Sequence, residues 1–165
     1  MDHADSQFTR DRIIASLKRD QTILDGILHG LTQADAAAAT DGADGWSVVQ
    51  VVCHLRDLEA VYGGRIASML AGDNPTFPRI DPDAMATGAN YAAQDLREAR
   101  AALLANRHAT LTTLENLIPD AWWAAGTHPV YGVQTVERLA FQIVTHDLDH
   151  LEQITRCLGR ADRFA

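Results

Sequence analysis

Two histidines, His146 and His150, lie one helical turn apart near the end of the sequence. At about 100° per residue, both fall within about 20° of Leu139, which belongs to an apolar stripe that also contains Ile143 and Ile154. Imidazoles at positions i and i+4 can bind one first-row transition metal from a single helical face. A core position requires either separate hydrogen-bond partners for the two rings or a metal ion, and both interpretations are open from this segment alone.

A third ligand would have to come from another helix, and His54 is the best candidate. It lies about 60° to one side of the apolar stripe of a long predicted helix, at the edge of the core. Three neutral imidazoles leave about one to three coordination positions for water or substrate, as in a catalytic metal site. Imidazole donors suit Zn, Ni, Cu or Fe, and the residues do not choose among them. The sequence thus predicts a metal site at His54, His146 and His150.

Several charged residues could support such a site. Metal-bound histidines usually donate their second N–H to a carboxylate or carbonyl, and Asp57, Asp147 and Asp149 are near enough in sequence to accept it, although each could equally be solvated. Arg100 and Arg107 project toward the apolar stripe of their predicted helix. Such side chains either extend their charged heads to solvent or pair with a buried carboxylate, and both outcomes are open. The sequence identifies no catalytic acid, base or nucleophile.

Four predicted helices would position these residues. Apolar residues at helical spacing predict helices over residues 6–31, 47–71, 90–117 and 135–158. Ser47 and Gln50 form a capping-box pattern, Asp81 followed by Pro82 predicts a further helix start, and Thr135 is a favourable cap for the last helix. No alternating β-strand pattern stands out. The sequence therefore predicts an all-α fold, a four-helix bundle with long connectors of roughly ten to eighteen residues.

The positions of apolar and aromatic residues lead to two further predictions about which side chains are buried or cover the site. In the first helix, Phe8 and Ile23 belong to the stripe that is expected to be buried. In the last connector, Trp122, Trp123 and Tyr131 are expected to cover one end of the bundle and to border a substrate site. The connectors exceed the length of a minimal helical hairpin, which leaves room for such a cover.

Composition restricts the class of protein. The 165 residues predict a single domain over residues 1–165. The net charge of −8 argues against a nucleic acid partner, because phosphate binding depends on Lys and Arg. No apolar run approaches the roughly 18 residues of a membrane span, and the sequence does not open with the pattern of a signal peptide. Cys53 and Cys157 are expected to be buried reduced thiols, which favours a cytoplasmic location.

Two segments resemble the DinB/YfiT-like superfamily. The first is the run WSVVQVVCHLRDLE that begins at Trp46, and the second is the run HDLDHLEQI that begins at His146. Other features resemble the branch called DinB-like domain type two, namely Asp81-Pro82-Asp83, Tyr91, and His128-Pro129 followed by Gly132. The resemblance implies a four-helix bundle with one divalent metal, usually Ni or Zn, bound by a histidine triad. That triad carries over onto His54, His146 and His150.

The resemblance also implies an activity. Members with assigned reactions are similar to thiol-dependent S-transferases and a thiol-dependent maleylpyruvate isomerase, which implies a small-molecule substrate and a low-molecular-weight thiol such as mycothiol or bacillithiol as co-substrate. Members are commonly homodimers, and neither a nucleic acid nor a membrane partner is expected. Three alternatives stay open: a metal-dependent hydrolase, a non-enzymatic metal-binding stress-response protein, and a bundle whose core histidines bind no metal.

Overall fold

The structure, a computed structural model, describes residues 3–72 and 74–159. These residues contain six α-helices and one β-hairpin. The helices are α1 (His3–Leu28), α2 (Gln33–Ala38), α3 (Val48–Leu70), α4 (Pro82–Gly88), α5 (Leu96–Glu115) and α6 (Val136–Cys157). Two short 3₁₀ turns, Tyr91–Ala93 and Pro119–Trp123, precede α5 and the hairpin. The four long helices confirm the predicted all-α bundle. The outermost positions of the predicted domain, 1–2 and 160–165, lie outside the described residues.

The helix starts follow the capping residues in the sequence. Ser47 and Gln50 form the expected capping box at the start of α3, since each backbone N–H donates to the other side chain. Thr135 caps α6 in the same way, by accepting from the N–H of Arg138. The third long helix begins at Leu96 rather than near residue 90, because Gln94 and Asp95 have extended backbones and Asp95 caps the helix by accepting from the N–H of Glu98.

The arrangement of the long helices determines which side chains can meet. Helix α3 packs against α5 and α6, and α1 packs against α6 and α5. The pairs α1/α3 and α5/α6 therefore occupy opposite corners of the bundle. The neighbouring helices α3 and α6 carry the three histidines of interest, although about 90 residues separate His54 from His146 in the sequence.

The core contains the predicted apolar stripes, with one correction in α1. Leu17, Ile66, Leu139 and Ile154 are almost completely buried, and burying each such side chain contributes on the order of 2 kcal/mol. The expected burial of Phe8 and Ile23 is wrong, since Phe8 is 68% exposed and Ile23 is 40% exposed. Both lie on the outer side of α1, because only one face of that helix meets α5 and α6. No helix among the described residues is long and apolar enough to cross a membrane.

A β-hairpin corrects the expectation of no strands. Strand β1 (Ala125–His128) pairs antiparallel with β2 (Gly132–Thr135), with His128 opposite Gly132. Strand β1 also joins the loop after α3, because Thr127 N–H donates to Pro75 O at 2.7 Å and Phe77 N–H donates to Thr127 O at 2.8 Å. These bonds fix the hairpin and that loop to each other beside α3. Four-residue strands are too short to show a clear alternating pattern in the sequence.

Candidate metal centre

Three imidazole nitrogens converge between α3 and α6. His54 Nε2 lies 3.1 Å from His146 Nε2, and His146 Nε2 lies 3.2 Å from His150 Nε2. One ring nitrogen of each histidine lies within 4.8 Å of the other two. The structure therefore brings together the three residues that the sequence singled out. His54 is only 3% exposed, so it lies deeper than the core edge where its helical position alone would put it.

Aromatic rings fix the orientation of the imidazoles. The Trp46 ring packs edge-on against His54 with centroids 5.1 Å apart, and Tyr62 packs edge-on against His146 at 5.9 Å. Trp46 immediately precedes the cap of α3, so the helix start also places this ring. Edge-on packing limits rotation of the imidazoles without using their nitrogen atoms.

A hydrogen-bond chain defines the tautomer of His150. Arg156 pairs with Asp41, and Gln153 is close enough to Asp41 to help lower the pKa of that carboxyl. The Gln153 Oε1 atom then lies 2.7 Å from His150 Nδ1, which must carry the hydrogen of this bond. The neutral His150 ring therefore presents the lone pair of Nε2 to the other two histidines. The hydrogen-bond acceptor for this ring is an amide and not one of the carboxylates expected from the sequence.

The expected carboxylate partners bond to other groups. Asp57 accepts from Tyr91 Oη at 2.6 Å and pairs with Arg56. Asp149 is exposed, and Asp147 points into the bundle toward Arg107. In the described part of the chain, none of the three carboxylates hydrogen-bonds to a site histidine, and the buried His54 Nδ1 has no hydrogen-bond partner.

Burial keeps the three rings neutral. It lowers the pKa of His54 to about 4 and that of His146 to about 3, and it also lowers the pKa of His150. The neighbouring rings add to the effect on His54 and His146, because charges so close together would repel. Neutral imidazole is the form that binds metals. All three ligands are therefore ready to bind at neutral pH.

The donor set fits a divalent transition metal. Metal–nitrogen bonds of about 2.0–2.1 Å place the nitrogens of two ligands roughly 3 Å apart, which is the separation of the Nε2 pairs here. Lone pairs that face each other at this distance repel unless a hydrogen or a cation lies between them. His150 cannot supply that hydrogen, because its proton is on Nδ1, whereas a hydrogen on Nε2 of His54 or His146 could lie within one of the two close pairs. A cation bound by all three nitrogens would remove the repulsion.

The lowered pKa values predict how protons compete with the metal. Three imidazoles of ordinary pKa near 6.5 would together release about two protons on binding metal at pH 6.0. We expect fewer than two protons to be released, because the pKa values of His54 and His146 are lowered to about 4 and about 3 and that of His150 is also lowered, so fewer protons are bound at pH 6.0. Titration calorimetry with zinc at pH 6.0, in buffers of different ionisation enthalpy, measures the number of protons released per zinc ion bound. Release of two protons would show that burial does not lower these pKa values.

A buried charge cluster lies behind the histidines. Arg107 Nη2 is 2.8 Å from Glu59 Oε2 and 2.8 Å from Asp147 Oδ2, and all three side chains are buried. Arg107 therefore pairs with carboxylates in the core. Arg100 instead pairs with the partly exposed Asp25. Since Asp147 follows His146 directly, the cluster holds α6 against α3 and α5 beside the metal centre.

The histidines open onto a cavity of about 720 Å³, within the range of small-molecule sites. Its lining comes from α3 and the segment just before it, α6, the hairpin, the loop before α4 and the first turn of α4: Trp46, His54, Leu58, Tyr62, Arg65, Arg79, Ile80, Pro82, Asp83, His128, Val130, Tyr131, Gln142, His146, His150 and Gln153. Of the aromatic residues expected to border the site, Tyr131 does so. Trp122 and Trp123 do not, and pack beside Arg10 instead.

Sequence reasoning missed several residues that line this cavity. Gln142 and Gln153 lie four residues before His146 and three after His150, so helical spacing alone could have indicated both. Gln134 Nε2 donates to Gln142 Oε1 at 2.9 Å, and Gln142 is close enough to Tyr62 to counteract part of the rise in the pKa of that hydroxyl. Burial raises the pKa of Tyr62 to about 12. Its hydroxyl therefore stays protonated and can donate into the cavity.

Comparison with known proteins agrees with this fold. A family model described as the DinB superfamily matches residues 16–154, a range that includes the three histidines. Among solved structures, the chain is similar to YfiT from Bacillus subtilis, described as a probable metal-dependent hydrolase with an unusual four-helix bundle topology. That match has a TM-score of 0.83 and 22% identity, and it covers 93% of this chain and 87% of YfiT. No curated protein matches the sequence.

Proposed function

The chain belongs to the DinB superfamily, and we propose that it is a metal-dependent enzyme that acts on a small molecule. His54, His146 and His150 would bind one divalent ion, with Ni or Zn as the best candidates for imidazole donors. The observation that carries the proposal is the convergence of three neutral imidazole nitrogens on one wall of a cavity of about 720 Å³. A divalent ion bound there would supply Lewis-acid chemistry, lowering the pKa of a nucleophile and polarising an electrophile.

Thiol transfer is the first candidate reaction. The cavity has room for both a low-molecular-weight thiol and its acceptor. The thiols of the chain lie elsewhere, since Cys53 is buried beside Gln94 and Cys157 lies beside Trp46 O. Neither cysteine lines the cavity, so a thiol nucleophile would enter from solution as a co-substrate.

Hydrolysis is the second candidate, with water as the nucleophile. It is supported by the similarity in fold to YfiT, which is described as a probable metal-dependent hydrolase. In either reaction the Tyr62 hydroxyl, which stays protonated and lines the cavity, would donate a hydrogen bond to an oxygen of the substrate. Gln153 would hold the His150 ring in the orientation that exposes Nε2.

One assay separates the two reactions. Protein loaded with one equivalent of zinc or nickel is incubated with p-nitrophenyl acetate, with and without N-acetylcysteine. The acetyl group passes to sulfur in thiol transfer and to water in hydrolysis, while nitrophenolate leaves in both. We expect turnover to require metal and to fall about 100- to 1,000-fold in Tyr62→Phe, the range for loss of one donor to a developing negative charge. Equal rates for metal-loaded and metal-stripped protein would contradict the proposal.

A non-enzymatic metal-binding protein is the remaining alternative. A purely structural ion would supply much of the folding free energy, so a chelator would cost most of the stability. The bundle here has an extensive core apart from the histidines, which supports a smaller chelator effect on the melting temperature.

The net charge of the protein and the apolar residues exposed on its surface support the proposed binding partners. The net charge of −8 supports a function without nucleic acid. Exposed Phe141 and Leu148, two turns apart on α6, support a homodimer that covers this face. Light scattering of the purified protein measures its mass in solution.

A further inference from the structure

Arg65 lies on the same face of α3 as His54. The two residues are 11 positions apart, which corresponds to about 20° around the helix and about 16 Å along its axis. Both line the same cavity. Helical side chains lean toward the N-terminus of their helix, which is the direction of His54 from Arg65.

The guanidinium of Arg65 is buried without a carboxylate. Arg10, Arg65 and Arg107 are 4%, 6% and 4% exposed, respectively. Arg10 pairs with Glu137, and Arg107 pairs with Glu59 and Asp147. Within residues 3–72 and 74–159, Arg65 has no ion pair at all. A buried cation without a counterion is costly, which indicates a site that an anion completes.

Fixed contacts hold Arg65 in place. Its Nη2 donates to Pro78 O at 2.8 Å, and its guanidinium lies 5.0 Å from the centroid of the Phe77 ring. Phe77 is itself fixed by its backbone bond to Thr127 in β1. These contacts use one guanidinium nitrogen and one face of the group. The remaining N–H donors stay available, and Arg65 is preorganised to bind a planar anion.

His128 supplies a second donor next to Arg65. Its Nδ1 accepts the backbone N–H groups of Val130 and Tyr131, at 3.1 and 3.2 Å. The hydrogen of the neutral ring is therefore on Nε2, and His128 lines the same cavity as Arg65. The two side chains are close enough for the charge of Arg65 to help lower the pKa of His128.

We propose that Arg65, flanked by His128, is a subsite for a carboxylate of the substrate. The inference rests on the proposed function, because it makes the substrate an electrophile that also carries a carboxylate away from its reacting group. A carboxylate matches the fork of N–H groups on a guanidinium and would neutralise the buried charge. Arg79 and Asp83 also line the cavity, but both are exposed and therefore contribute weakly.

Binding of glutarate and of its neutral analogue glutaramide tests the subsite. Calorimetry at pH 7 uses the full-length chain, both loaded with zinc and stripped by chelator. We expect the stripped protein to bind glutarate and not glutaramide. Arg65→Gln should weaken glutarate binding about 10-fold or more, the effect of losing a charged hydrogen-bonded pair. Arg65→Lys, which keeps the charge but loses the fork, should weaken it by less.

Arg79→Gln is the matched control, because it removes an exposed arginine from the same cavity. We expect its affinity for glutarate to change by about 2-fold or less. Equal losses in Arg65→Gln and Arg79→Gln, or unchanged affinity in Arg65→Gln, would overturn the inference. If Arg65→Gln does not fold, NMR of the unmodified protein provides a second test. The Nε–H signal of Arg65, which is identified by its absence in Arg65→Lys, is expected to shift when glutarate is added. A signal that does not shift would overturn the subsite.

The zinc content of the same samples separates the two proposals. Zinc bound at one ion per chain together with Arg65-independent glutarate binding would reject the subsite alone. Arg65-dependent glutarate binding in a protein that binds no zinc would reject the proposed metal-dependent function and leave the anion site in place.

Discussion

Replacing His146 with alanine is expected to reduce bound divalent metal from about one ion per chain to almost none. His146 Nε2 is the central donor, since it lies 3.1 Å from the nitrogen of His54 and 3.2 Å from that of His150. Without it, two imidazoles on different helices remain. Elemental analysis after dialysis against buffer without free metal measures the loss.

A graded series makes this prediction sharper. Gln153→Ala removes the partner that orients His150 and should weaken metal binding about 10- to 100-fold, which is less than the loss in His146→Ala. His108→Ala, at an exposed position on α5, should keep full metal content. Full metal content in His146→Ala would rule out the histidine triad as the site.

Arg107→Met is expected to lower the free energy of unfolding by about 3–5 kcal/mol at pH 7, the cost of leaving buried charges without a partner. The substitution removes the cation that lies 2.8 Å from both Glu59 and Asp147. It also removes a positive charge that, together with the neighbouring Arg19, counteracts the rise in the pKa of Asp20 that burial causes. Urea denaturation followed by circular dichroism measures the change.

Arg100→Met provides the comparison on the same helix. Its partner Asp25 is partly exposed, so the loss should be below about 1 kcal/mol. Adding Glu59→Gln and Asp147→Asn to Arg107→Met should recover part of the stability, because the buried carboxyl groups that lost their partner are then replaced by neutral amides. A cost for Arg107→Met no larger than that for Arg100→Met would show that the cluster contributes little.

Most of the helical architecture could be predicted from the sequence, because helix starts and apolar stripes depend on residues that are close together in the chain. Ser47 and Thr135 mark helix starts through bonds to residues three positions later, so spacing alone identifies them. The start of α5 was misplaced although it also has a local signal, since Asp95 followed three residues later by Glu98 is a helix-start pattern. The hairpin was missed because its strands are short and depend on contacts with residues 75–77, about 50 positions earlier in the chain.

The candidate site could be predicted as far as its ligands and no further. His146 and His150 interrupt an apolar stripe, and the helical spacing of the sequence alone shows that interruption. The depth of His54 depends on packing between α3 and α6, which a helical wheel does not contain. The partners of Arg107 come from two other helices, so its inward position was predictable and its charge pairing was not. The roles of Arg65 and His128 depend on a loop and a hairpin that meet only in the folded chain.

The metal site itself is tested most directly by X-ray absorption at the zinc edge, on protein loaded with one equivalent of zinc. The structure predicts three imidazole nitrogens at about 2.0–2.1 Å, with the remaining coordination supplied by a light exchangeable ligand. Since Cys53 and Cys157 lie outside the cavity, no sulfur should contribute. A spectrum with sulfur ligands, or with fewer than three imidazoles, would contradict the assignment of His54, His146 and His150 as the metal ligands.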